Sequence, residues 1–133
     1  MSIYRVKDWD KHFEKAESRR CKNMLWVPIP TKHDGSGFRR VAAHHRAGEL
    51  FAAWILIVEV AAKMPTRGLL FKDGKAITVK DLEYRTGFPE EMFFLAFEIL
   101  TKPEIGWLER VAGDEIIPDE DYAKDAILAQ ESG

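Results

Sequence analysis

The sequence lacks the residue types and long apolar runs that are typical of several large classes of protein. It has one cysteine, Cys21, in 133 residues, which excludes an intramolecular disulfide framework and indicates a reducing compartment. Its longest apolar run, residues 50–62, contains Glu59 and is too short to span a bilayer. Charged residues within the first ten positions argue against a signal peptide. We therefore expect a cytoplasmic protein with no membrane partner.

Motifs for catalysis and for cofactor binding are also missing. The sequence has no glycine-rich phosphate loop, no paired cysteine motif and no serine nucleophile elbow. The histidines at positions 12, 33, 44 and 45, taken with Cys21, do not have the spacing of a structural zinc site. We expect neither an enzyme nor a bound metal or cofactor.

Charge is distributed unevenly along the chain, although the formal net charge is only −2. Residues 1–46 hold 11 Lys and Arg against 5 Asp and Glu, and all 4 histidines also lie there. Residues 103–133 hold 2 basic against 9 acidic side chains. This polarity indicates a basic surface for an anionic partner and an acidic tail.

The stretch from residue 78 to residue 109 carries the strongest structural pattern. Thr78 can cap a first helix, Gly87 is placed to end it in a left-handed conformation, and Pro89 fits the first turn of a second helix. The second helix has an apolar face at spacings of three and four residues, formed by Met92, Phe93, Ala96, Phe97 and Leu100. The pattern predicts a helix-turn-helix, with a strand beginning near residue 107.

The remaining chain supplies the other elements of a small α+β domain. Residues 3–6 alternate as a short strand, residues 9–13 allow one helical turn, and residues 47–64 form an apolar central helix. Residues 24–30 contain two prolines and predict an edge strand or extended segment whose Trp26 packs on the core. Residues 31–37 read as a loop, residues 69–71 as a strand and residues 72–75 as a turn.

These elements predict a winged helix-turn-helix with an added basic N-terminal segment. Residues 1–46 form that segment, packed on the domain; residues 47–118 form the winged helix-turn-helix; and residues 119–133 form the acidic tail. The predicted wing is a β-hairpin over residues 107–117, with its turn at Gly113.

With these elements placed, the chain resembles the N-terminal domains of bacteriophage and prophage replication-initiation proteins, the replisome organisers. The likeness covers roughly residues 3–110 and rests on IYRVK at 3–7, WDKHFE at 9–14, WVPIP at 26–30, TGFP at 86–89 and IGWLE at 105–109. It implies a winged-helix module that binds origin DNA in the bacterial cytoplasm and helps to recruit the host helicase or its loader. Proteins of this kind usually carry further C-terminal sequence.

The second helix does not have the charge expected of a recognition helix. Its outward face is predicted to carry Glu90, Glu91, Phe94 and Glu98, and carboxylates repel the phosphates on which duplex binding depends. We therefore place DNA binding on cations elsewhere. The candidates are Arg5, Lys7, Arg19, Arg20, Lys22, Lys32, Arg39, Arg40 and Arg46, with Lys75, Lys80 and Arg85.

Three interpretations stay open at this point. The first is a DNA-binding module of a replication-initiation protein, in which Phe38 can stack on a base beside Arg39 and Arg40 or pack into the core. The second is a protein-interaction module whose Glu90, Glu91, Phe94 and Glu98 face binds a helicase loader or a second copy of the chain. The third is a transcription regulator, which shares the fold and differs in the DNA that it selects.

Overall fold

The computed structural model describes residues 2–14, 24–29 and 35–112. The described chain is a mixed α+β structure, so the predicted class is confirmed. In order, its elements are β1 (Ile3–Val6), α1 (Trp9–His12), α2 (Ser36–Ala42), α3 (Ala47–Ala61), β2 (Phe71–Lys72), β3 (Lys75–Ala76), α4 (Val79–Thr86), α5 (Glu90–Leu100) and β4 (Leu108–Val111).

Helix α3 lies at the centre of the structure, as its apolar sequence predicts. It contacts α2, α4, α5 and β1, and Leu50, Ala53, Ile57, Val58 and Ala61 are fully buried. Burying each of the larger side chains contributes about 1.5–3 kcal/mol. A helix that is apolar on most sides is stable only when other elements cover those sides, and here four elements do.

Helices α4 and α5 correspond to the two predicted helices, and a tight turn at Gly87 joins them. The Thr78 hydroxyl accepts a hydrogen bond from the Asp81 N–H at 3.2 Å, and the Asp81 carboxylate accepts one from the Thr78 N–H at 2.9 Å. This reciprocal pair is a capping box. Gly87 has φ 80°, the left-handed conformation expected at the end of α4. Pro89 lies one residue before α5, as its N-cap, rather than within the first turn.

The apolar face predicted for α5 is confirmed in full. All five predicted residues, Met92, Phe93, Ala96, Phe97 and Leu100, are buried. They pack α5 against both α3 and α4. The outward face of α5 is therefore fixed by this packing, because a helix that buries one stripe must present the opposite stripe to solvent.

Strand β1 lies between two other segments of extended chain. On one side it pairs antiparallel with β4, from Ile3 opposite Val111 to Val6 opposite Leu108. On the other side Arg5 bridges Leu69, and the Val6 N–H donates to the Gly68 carbonyl at 2.8 Å. The N-terminal strand is thus a central part of this sheet. The strand predicted to begin near residue 107 is present as β4, and the other half of the predicted wing, residues 113–117, lies outside the described residues.

The predicted turn at residues 72–75 closes a β-hairpin between β2 and β3. Asp73 and Gly74 both have positive φ, 53° and 78°, which is the pattern of a type I′ turn. The strand predicted at residues 69–71 is displaced toward Phe71 and Lys72. This hairpin projects from the chain immediately before α4.

Two expectations about the N-terminal half are wrong. Trp26 does not pack on the core, since it is 86% exposed. Met24, Val27 and Ile29 pack on the core instead. The loop predicted to end at Gly37 ends earlier, because α2 begins at Ser36.

Candidate nucleic-acid interface

The predicted DNA-binding cations fall into three groups. Four of them, Arg19, Arg20, Lys22 and Lys32, lie outside the described residues. Two of the others, Arg5 and Arg46, are ion-paired. The remaining six, Lys7, Arg39, Arg40, Lys75, Lys80 and Arg85, are exposed, with no carboxylate of the described chain within ion-pair distance.

The Arg5 and Arg46 side chains each contact a carboxylate that is distant in the sequence. Arg5 on β1 pairs with Glu109 on β4, its neighbour across the strand pair. Arg46 contacts Glu49 at 2.6 Å and Glu91 at 3.0 Å, so it joins the start of α3 to the start of α5. The hydrogen bond to Glu49 raises the pKa of Arg46, and the same bond lowers the pKa of Glu49. These two arginines carry less uncompensated charge for an anionic partner than the exposed six.

The β2–β3 hairpin carries Lys75, and α4 carries Lys80 and Arg85. We call these three residues the α4 cations. The pKa of Asp81 is lowered, chiefly by the hydrogen bond from the Thr78 backbone and also by the charges of Arg85 and Lys75. Because the charges of Lys75 and Arg85 both lower this pKa, both side chains lie near the Asp81 carboxylate. Lys80 and Arg85 lie on exposed positions of the same helix. The hairpin and α4 thus present three exposed cations, alongside the exposed carboxylates of Asp81 and Glu83 on α4.

A second set of exposed cations lies on α2 and after β1. Arg39 and Arg40 are in the last turn of α2, where positive charge is favourable to the helix dipole. Lys7 follows β1, and its Nζ lies 3.5 Å from the point where a Cβ on Gly106 would be. Lys7 therefore lies beside the turn that precedes β4.

The outward face of α5 is acidic and carries an exposed aromatic ring. Glu91 and Glu98 are exposed, Glu90 is half-buried, and Phe94 is 63% exposed. Glu91 is already paired with Arg46. Since the predicted apolar face is buried, this is the face that a recognition helix presents to the major groove, and its charge opposes that role.

An aromatic cleft of about 350 Å³ opens between α1, α2, α3 and the turn before β4. Trp54 lies among the aromatic rings of the cleft. The centroid of its ring lies 4.8 Å from the ring centroid of Trp107, 5.8 Å from that of Phe51 and 6.3 Å from that of Phe13. Phe38 contacts Phe51 and Trp107, each at 6.2 Å. Lys7, Asp8 and His12 are the charged or titratable side chains that line the cleft among the described residues.

Trp54 carries the one buried side-chain polar atom without a hydrogen-bond partner in the described part of the chain. The residue is 7% exposed, and its indole Nε1 finds no acceptor. An unsatisfied buried donor costs about 1–3 kcal/mol. Sequence reasoning missed this cleft, because residues 13, 38, 54 and 107 are far apart in the chain and share no motif. The only local signal was Phe38 beside two arginines.

The histidines at the junction between α2 and α3 have a local structural role. The rings of His44 and His45 stack with centroids 4.5 Å apart, and the His44 Nδ1 accepts a hydrogen bond from the Arg46 N–H at 3.0 Å. Within residues 2–14, 24–29 and 35–112 there is no cluster of three or more His, Cys, Asp or Glu side chains that could hold a metal ion. His33 and Cys21 lie outside those ranges.

In the same ranges, no helix combines the length and hydrophobicity needed to cross a membrane. Comparison of this chain with protein-family models, with curated proteins and with solved structures finds no match.

Proposed function

We propose that this chain is the winged helix-turn-helix DNA-binding module of a phage or prophage replication-initiation protein. The order α3, β2–β3 hairpin, α4, turn, α5 and β4 supports the winged helix-turn-helix fold. The resemblance described above supports the role in replication initiation, in a bacterial cytoplasm. The single observation that carries the DNA-binding proposal is the group of exposed α4 cations, none of which has an ion-pair partner among the described residues.

The position of these cations favours contact with the DNA backbone. In a helix-turn-helix the first helix crosses the backbone while the second enters the major groove. Here the first helix, α4, carries Lys80 and Arg85, whereas α5 presents Glu91 and Glu98 outward. Contacts to phosphate fix position but carry no direct sequence information. We therefore expect α4 to bind phosphates and α5 to add little base recognition.

Fluorescence anisotropy with a labelled duplex tests this proposal on the full chain. The test variant is Lys75→Gln/Lys80→Gln/Arg85→Gln. The matched control is Lys63→Gln/Lys102→Gln/Arg110→Gln, which removes three exposed cations that lie off α4 and the hairpin. Both variants lower the net charge equally, so a difference between them reports position rather than total charge.

We expect the α4 variant to weaken duplex binding and to flatten its salt dependence. Three phosphate contacts contribute a slope of about −2.7 in a plot of log K against log salt concentration, which is roughly a fortyfold loss of affinity between 50 and 200 mM salt. The α4 variant should lose most of that slope, and the control variant should keep it. Equal losses in the two variants, or no binding by the wild-type chain at low salt, would refute the proposal.

A specific observation also favours a second function, docking of a protein partner on α5. Phe94 is 63% exposed at the middle of the helix, and Glu98 lies one turn away on the same face. Aromatic side chains of this kind are common anchors at protein interfaces. A helicase loader, a helicase or a second copy of this chain fits such a surface.

Sedimentation velocity and pull-down with a helicase loader test the docking function. Phe94→Ala should weaken self-association or capture of the loader. Tyr84→Ala is the matched control, since Tyr84 is an exposed aromatic residue on α4 at 91% exposure. Identical behaviour of wild type and Phe94→Ala in both assays would remove docking from consideration.

A regulator of transcription would bind DNA through the same surface, and selection of promoter rather than origin sequences would identify it.

A further inference from the structure

We propose that the aromatic cleft binds one unpaired base of a single-stranded nucleic acid, with the neighbouring phosphate at Lys7. This inference rests on the proposed nucleic-acid-binding function and extends it from duplex to single strand. The cleft is distinct from the α4 cations: it is formed by α1, α2, α3 and the turn before β4.

The rings of the cleft suit a planar aromatic ligand. Phe38 and Trp107 are half-buried, line the cleft and lie 6.2 Å apart with their planes inclined by 31°. Every base has a π-face, so stacking on such side chains holds single strands with little sequence preference. The volume of about 350 Å³ lies within the range of about 300–1,000 Å³ typical of small-molecule sites.

The charges at the rim fit an anionic group beside the base. Lys7 is exposed and extends over Gly106, at the edge of the cleft. His12 adds a second nitrogen-bearing side chain, whereas Asp8 is a carboxylate that opposes a phosphate. Lys7 and Asp8 are adjacent and carry opposite charges. Removing each charge should therefore change the affinity for an anionic ligand in opposite directions. Asp8 has φ 54°, a conformation that Asn also adopts readily, so Asp8→Asn should preserve the backbone.

Anisotropy of fluorescein-labelled pentathymidylate with the full chain tests the inference. We expect Trp107→Leu, which removes a ring that can stack on the base, to weaken binding about fivefold or more. Trp26→Leu is the matched control, because Trp26 is 86% exposed and does not line this cleft. Lys7→Gln should lower the salt slope by about 0.7, and Asp8→Asn should tighten binding about two- to fivefold.

The outcomes separate this inference from the duplex proposal. Loss of duplex binding in the α4 variant with pentathymidylate affinity retained supports the cleft as an independent site. Failure of the wild-type chain to bind pentathymidylate at low salt, or equal affinity for wild type and Trp107→Leu, overturns it. If Trp107→Leu melts at a much lower temperature than wild type, the Lys7 and Asp8 variants decide, and shifts in the same direction from both overturn the inference. Pentauridylate in parallel distinguishes RNA from DNA as the source of the base.

Discussion

Gly68 lies against the indole of Trp9 so closely that no other residue fits without movement. A Cβ on Gly68 would meet the Trp9 Cβ and Cγ at 2.7 Å and Cδ2 at 2.9 Å, and the residue has φ +92°. Trp9 has little freedom to move, because its ring stacks on Phe13 at 4.8 Å and its N–H donates to Glu14. Gly68→Ala therefore introduces both backbone strain and a steric clash.

The expected loss of stability in Gly68→Ala is the sum of these two effects. The left-handed conformation costs a residue with a Cβ about 1–2 kcal/mol, and overpacking costs about 1–3 kcal/mol. Together they give about 2–5 kcal/mol, a large part of the 5–15 kcal/mol that is typical of a domain. With an m-value near 2 kcal/mol/M, the midpoint of urea unfolding should fall by about 1–2.5 M.

Three other glycines separate the two effects. Gly87 has φ +80° but nothing within 4 Å of its Cβ position, so Gly87→Ala should cost only the backbone strain, about 1–2 kcal/mol. The Cβ position of Gly37 is 3.1 Å from the Ile105 carbonyl oxygen without a positive φ. We expect Gly37→Ala to change stability by less than about 1 kcal/mol, since helix propensity offsets the contact.

Gly48 is the matched control for the series. It lies in α3 with nothing within 4 Å of its Cβ position and without a positive φ. Gly48→Ala should therefore stabilise the protein, by up to about 1 kcal/mol. Urea unfolding of the four variants, followed by circular dichroism, should rank them with Gly68→Ala least stable and Gly48→Ala most stable. A loss in Gly68→Ala no larger than that in Gly87→Ala would refute the role of the Trp9 contact.

Three further predictions concern caps and ion pairs. Thr78→Ala removes the hydroxyl that accepts from Asp81 N–H and should lower the free energy of unfolding by about 1 kcal/mol; an unchanged urea midpoint would contradict the capping role. Because the folded-state pKa of Asp81 lies below its ordinary value of 3.8, its charge stabilises the fold above that pH, and this stabilisation disappears as pH falls through the lower folded-state pKa. The difference in thermal stability between wild type and Asp81→Asn should accordingly be present at neutral pH and vanish in acid; a difference that persists in strong acid would show another cause. Arg67→Met removes the cation that lies 3.2 Å from the Glu14 carboxylate, whose side chain is 4% exposed, and should lower the free energy of unfolding by about 1.5–3 kcal/mol, since the Trp9 N–H still donates to that carboxylate. If Arg67→Met unfolds at the wild-type temperature, the pair does not stabilise the fold.

Local signals in the sequence were enough to predict helices α4 and α5 and the turn between them. Thr78 and Asp81 are three residues apart, and Gly87 follows the last turn of α4, so each interaction closes within one or two turns of the chain. The buried face of α5 followed from helical periodicity, because residues at spacings of three and four must lie on one side. The α+β class and the central position of α3 were predicted in the same way.

Interactions between distant residues were not predictable. The cleft rings come from residues 13, 38, 54 and 107, and nothing in their local sequence relates them. The exposure of Trp26 depended on which side of an extended segment meets the core. The winged-helix assignment, the DNA-binding role and the replication role remain predictions, to be tested by the binding experiments above.

The sequence by itself determined helices α3, α4 and α5, the caps of α4, the turn of the β2–β3 hairpin and the charge polarity of this protein, because each depends on neighbours within a few residues. Only the tertiary structure decided which of those charges remain exposed without a partner. Arg5 is paired with Glu109 because β1 lies beside β4, and Arg46 with Glu91 because α5 packs on α3. Charge is a property of a residue, whereas compensation of that charge depends on what the fold brings within a few ångströms of it.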